Sequence, residues 1–111
     1  MNIDRSRIYA SAEDFFTLGG SVIMKLASHA AVSVCKEAAA RGILVIRIEG
    51  GIWHNPGFEA RIDCIWDSKV MPPIDRDVAH ASNMLAADFV ESERLVHDVF
   101  IITSMMHSGD A

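Results

Sequence analysis

Five histidines and two cysteines are the residues of this 111-residue chain best equipped for chemistry. His29, His54, His80, His97 and His107 are scattered, and none stands in an HxH, HExxH or CxxC-type arrangement. Such spacings are what set several metal ligands on one face. Asp77-x-x-His80 does put two ligand types on one turn of a predicted helix, but that spacing recurs by chance on solvated faces. No metal and no cofactor is expected. Cys64 beside a histidine could act as a nucleophile with its base. The alternation around it, however, places Cys64 on the inner side of a strand, where a thiol packs as a small hydrophobe. Cys35 falls on a predicted helix, and both are expected as free, buried thiols. No serine stands in a GxSxG elbow, and Gly19-Gly20 and Gly50-Gly51 lack the phosphate-cradling patterns. No catalytic residue emerges, and the chain reads as a non-enzyme.

What remains is recognition by surface. The net charge is −5, and it is unevenly placed. Residues 1–41 carry four acids and five bases, whereas 42–111 carry eleven acids and five bases. That balance argues against nucleic acid as a partner and fits a basic protein partner. No apolar run approaches a membrane span, and the first twenty residues lack a signal-peptide core, so a cytoplasmic protein with no membrane contact is expected.

The elements that must carry such a surface form an α+β domain, single over 1–111. At its centre is a β-hairpin, about 43–53 and 58–66, around the turn signal His54-Asn55-Pro56-Gly57. Joining the apolar sets predicts the pairs Ile48–Ile62, Ile46–Cys64 and Leu44–Trp66. The same register sets Glu49 against Arg61 and Arg47 against Asp63 on the charged side. Ser11 and Asp14 suggest a capped helix from Ser11 to about Leu18. A helix over about 21–41 follows, with Gly42 as its C′ residue. After Pro72-Pro73, Asp75 caps a second long helix over about 76–95. Its buried stripe is expected to be Val78, Ala81, Leu85 and Phe89. The run Val99–Ser104 is expected as a third strand (about 98–104) of a small antiparallel sheet, with a helix into Met105-Met106 as the alternative.

Two contact patches follow. Trp53 and His54 at the hairpin tip are natural anchors, with Glu49, Glu59 and Asp63 as charges on the same hairpin. Asp77, Asp88 and Glu91 line the outer face of the last helix.

The segment Glu49-Gly50-Gly51-Ile52-Trp53-His54-Asn55-Pro56-Gly57-Phe58-Glu59-Ala60-Arg61, together with size, acidity and layout, resembles bacterial toxin-immunity proteins of contact-dependent growth inhibition systems. The resemblance implies a chain that binds and neutralises a cognate toxin domain, often a nuclease, by blocking its active site or substrate approach. It carries no functional residue over by motif. Two other readings stand beside it. One is a small enzyme or ligand-binding domain with a pocket between sheet and helices, using His54, His80 or Asp63. The other is a homodimer pairing through an exposed sheet edge.

Overall fold

Ser11 opens the first helix as its sequence requires. Its hydroxyl accepts a hydrogen bond from the Glu13 amide (3.1 Å), capping α1, Ala12–Thr17. In the computed structural model, which describes residues 3–20, 23–54 and 57–108, three helices accompany five strands. The remaining elements are β1 (Ile8–Tyr9), β2 (Lys25–Ala27), α2 (Ser28–Glu37), β3 (Ile43–His54), β4 (Gly57–Asp67), α3 (Arg76–Glu93) and β5 (Val99–Met106). Ser21 and Val22 of the expected helix, Asn55 and Pro56 of the expected turn, and the tail beyond Ser108 lie outside the described residues.

The strands form one sheet in the order β1-β2-β5-β3-β4. The architecture is α+β, as expected, but the sheet is mixed: β1 and β2 run parallel and the other neighbours antiparallel. The helix expected from about residue 21 is corrected accordingly. Met24 and Leu26 are fully buried on either side of half-buried Lys25, a period-two pattern, and this stretch joins the sheet as β2. α2 then runs only from Ser28 to Glu37, followed by a single 3-10 turn, Ala39–Arg41. Gly42 closes it at φ 82°, the left-handed C′ position that glycine fills without steric cost. The final apolar run is strand, held between β2 and β3, not helix.

The hairpin exists, but its register differs from the expected one. β3 and β4 pair out to His54 and Gly57, leaving only residues 55 and 56 between them. Trp53 faces Phe58 and Ile52 faces Glu59 near the tip, whereas Ile48 faces Trp66 and Arg47 faces Asp67 at the inner end. Between Glu49–Ile65 and Gly51–Ala60, residues 61–64 bulge out opposite Gly50 alone. The pairs Ile48–Ile62, Ile46–Cys64, Leu44–Trp66, Glu49–Arg61 and Arg47–Asp63 therefore do not form. Side-chain alternation restricts which sets can meet, but it does not count the residues a bulge absorbs. Opposite charges still choose each other: Arg47 Nε donates to Asp67 Oδ1 at 2.6 Å, four residues beyond the expected carboxylate. Gly50 makes the bulge sterically feasible, since a Cβ there would collide with Cys64 Sγ and stand 3.0 Å from Phe100. Cys64 is fully buried, while Ile62 is 92% exposed instead of inward.

Asp75 caps α3 as expected, accepting from the Val78 amide at 2.8 Å. The buried stripe, however, is Ala79, Ser82, Asn83, Ala86, Ala87 and Val90, about one residue round from the expected one. Val78 and Leu85 are exposed, Ala81 is exposed and Phe89 half-buried. Small side chains let the helix approach the sheet closely, and that outweighs the greater hydrophobicity of the rejected face. One polar contact reinforces the choice. β3 carries a second irregularity between Val45 and Arg47 in its pairing with β5. There the Val45 amide donates to Asn83 Oδ1 (2.8 Å), and Asn83 Nδ2 donates to the Ile43 carbonyl (3.0 Å). Asn83 is fully buried. Asn83→Leu is expected to leave both backbone groups unpaired and to cost about 2–4 kcal/mol, read as a lower denaturation midpoint at unchanged slope.

Candidate partner-binding surface

Rotation of α3 leaves its larger apolar residues with no sheet to cover. Val78, Ala81, Leu85 and Phe89 face Trp66 and Val70 across a groove of 640 Å³, with Asp67, Lys69 and Asp88 also in its lining. β4 forms one wall and is the last strand of the sheet, so its outer edge pairs with no other strand among the described residues. The apolar floor suits an apolar side chain of a partner protein, with Asp88 and Lys69 on the rim and Asp67 held by Arg47.

The expected contact residues fall into several places. Asp88 lines the groove. Asp77 lies at the far end of α3, eleven residues away or about 16 Å along the axis, in a 260 Å³ cleft with His80, Lys36 and Arg76. The two cationic side chains make that cleft a poor home for a metal ion. Glu91 pairs with Arg94 at 3.3 Å. Glu49 is half-buried on the sheet face away from the helices, opposite Ile65 and Ile101. Asp63 is exposed on the bulge, next to Ile62. Trp53 is half-buried at the hairpin tip, where its amide donates to Asp98 Oδ1 at 2.9 Å. His54, also exposed, stands 2.6 Å from Glu59 Oε1, and Arg61 stands 3.2 Å from Glu59 Oε2. The His54 hydrogen bond and the Arg61 charge hold the Glu59 carboxyl below its usual range. Tip and helix patches are thus distinct, and the tip's acid is already partnered within the chain. His54, His80 and Asp63 of the enzyme reading are not brought together.

Sequence reading missed a cluster that the bulge creates. Cys64 Sγ, a Glu93 carboxylate oxygen and a His97 ring nitrogen lie within 4.8 Å of one another. Glu93 and His97 are four residues apart at the end of α3, a spacing that was the available signal. Cys64 comes from a strand whose register was not legible. Burial, and then the neighbouring Glu93 charge, push its thiol up to about 12. Cys35, fully buried, is pushed up to about 12 by burial. Both shifts disfavour the thiolate that a cysteine nucleophile requires.

An α+β domain with an apolar groove beside a sheet edge that is unpaired among the described residues has a surface suited to a protein partner. Comparison with known families identifies the kind: residues 24–105 match the family described as Colicin-E5 Imm protein. The chain belongs to this family of colicin E5 immunity proteins. It is 59% identical over 109 residues to the immunity protein CdiI of Burkholderia pseudomallei, covering 98% of this chain and 99% of that one. It is 36% identical over 84 residues to the colicin-E5 immunity protein of Escherichia coli, covering 75% of this chain and all of that one. The colicin-E5 immunity protein in ColE9 from the same organism matches to the same extent.

The tip network yields a pH-dependent observable. Glu59 has a depressed folded-state pKa, so its contribution is present above the ordinary carboxylate range and is lost as pH falls through the depressed value. In His54→Ala the Glu59 titration, followed by carboxyl-carbon NMR, is expected to move up towards the ordinary range. An unmoved midpoint would mean that Arg61 alone sets it.

Proposed function

We propose that this chain binds the toxin domain of its own contact-dependent inhibition system and neutralises it by occupying or obstructing the toxin's working surface. The observation that carries this reading is the 59% identity to CdiI over nearly the whole of both chains. The toxin is of the nuclease class, with a basic substrate-binding face, and it meets this chain inside the producing cell. The inhibitor acts by binding alone. Net charge of −5, concentrated beyond residue 41, would speed encounter with such a face, while a few buried apolar contacts would set the dissociation rate.

Of the two acidic patches, the one on α3 is the better docking surface. Asp88 has an apolar groove beside it, with Leu85 58% exposed and ready to be covered. Glu59 at the tip is engaged by His54 and Arg61, so a partner's cation would have to displace existing ones. The bulge carrying Ile62 and Asp63 emerges where Cys64 meets the end of α3, and supplies a second exposed anchor beside an acid.

With the purified toxin domain as partner, Asp88→Lys is expected to slow association about tenfold at low salt and to flatten its salt dependence. Leu85→Ala is expected mainly to speed dissociation, by a loss of about 1–2 kcal/mol in affinity, and to weaken rescue of toxin-expressing cells. Glu59→Lys should leave both rates near the parent's. Loss of binding in Glu59→Lys with α3 variants unaffected would move the interface to the hairpin tip. Failure of the chain to bind or rescue at all would overturn the immunity reading itself.

A further inference from the structure

We propose that Cys64, Glu93 and His97 form a zinc site that pins the β4 bulge to the end of α3. The donor set carries the assignment. Thiolate, imidazole and carboxylate are the three ligand types zinc takes, whereas calcium and magnesium prefer oxygen alone. The three donor atoms lie within 4.8 Å of one another. Tetrahedral zinc, with bonds of about 2.0–2.3 Å, needs its ligand atoms roughly 3.4–3.8 Å apart, a distance reached here by small side-chain rotations. Glu93 Oε1 and His97 Nδ1 already stand 3.2 Å apart.

A second observation points at a ligand. His97 is only 7% exposed, and its Nδ1, buried at the cluster, makes no hydrogen bond. A plain Glu93–His97 ion pair accounts for the closeness of the two, but it leaves that nitrogen without hydrogen-bond geometry and a buried sulfur within ligating reach of both. Buried polar atoms rarely go unpaired without reason. Cys64 and Glu93 already share a hydrogen bond, and a metal ion that displaces the Cys64 thiol proton would give the orphaned His97 nitrogen a partner held in common with both.

The scaffold suits the role. The His97 amide donates to the Glu93 carbonyl at 2.9 Å, continuing the helical turn that stacks the two side chains on one side. Gly50 leaves space for the Cys64 sulfur opposite. Glu93 is half-buried, so the ion reaches the site from the solvent side, and the fourth coordination position is left to water. Occupancy would fix the position of residues 61–64, and with them the exposed Ile62 and Asp63. This inference concerns the isolated chain and stands whether or not the immunity reading does.

The test uses the full chain, freed of metal with a chelator and titrated with Zn²⁺, and with Co²⁺ as a spectroscopic probe. One equivalent should bind. Co²⁺ should give a thiolate-to-metal charge-transfer band, and Zn²⁺ at about 100-fold over its Kd should raise the unfolding midpoint by roughly 10 °C. Loss of an outer-shell partner alone costs metal sites about 10–100-fold, so Glu93→Gln and His97→Gln should each weaken zinc binding at least tenfold. Cys64→Ala should abolish the cobalt band, and Cys35→Ala should preserve it. The half-exposed Glu93→Gln variant keeps the test decisive should a core substitution unfold the chain. The proposal is overturned if no saturable one-equivalent binding is seen. It also falls if folded Glu93→Gln binds zinc as the parent does, or if the cobalt band follows Cys35.

Discussion

A buried asparagine holds the two layers of this protein in register. The pairing of β3 with β4 reaches only as far as Arg47 and Asp67, and short of it one amide and one carbonyl of β3, from Val45 and Ile43, face α3. Asn83 answers both, at 2.8 and 3.0 Å, from a fully buried position. A hydrogen-bonded polar group in a core stabilises modestly, but leaving it unmade is costly. The contact therefore dictates the rotation of α3 about its axis. From that rotation follow the alanine-rich buried stripe, the exposure of Leu85 and Val78, and the groove between α3 and β4.

Among the described residues, several exposed charges are already paired within the chain. Arg47 is taken by Asp67, Glu91 by Arg94, and Glu59 by His54 and Arg61. Exposed pairs of this kind add little stability, but they do reduce what a distant cation can gain. Asp88 is exposed beside the groove, with apolar surface next to it and Lys69 in the same lining. Recognition of a basic partner needs both, since charge steers the encounter and desolvated apolar contact holds the complex.

The bulge in β4 has two consequences that no local pattern announces. It ejects Ile62 into solvent and draws Cys64 under Gly50 towards Glu93 and His97. Sequence reading treated Ile62 and Cys64 alike because both sit at even positions of one alternating run. It passed over Glu93 and His97 because a spacing of four on a helix is ordinary until a third donor arrives from elsewhere. Likewise the charged stripe Asp77, Asp88 and Glu91 was visible in the sequence, but the groove beside Asp88 was not, because the stripe of larger apolar residues reads as core.

Much was decided by the chain alone, wherever the governing physics is local. Ser11 and Asp75 as caps, Gly42 at the left-handed C′ position and the turn signal of the hairpin follow from interactions within a few residues, and the final strand and the inward side of Cys64 from local alternation and β-rich composition. The acidic bias beyond residue 41 is read directly from composition. The tertiary structure decided everything that depends on counting residues across a gap: the register of β3 on β4, the short parallel strands β1 and β2, the face α3 buries, and the convergence of Cys64 with Glu93 and His97. Alternation tells which side a residue faces but not which residue it meets. That second choice belongs to bulges, close helix–sheet packing and a single buried amide, whose energies arise only once distant segments have come together.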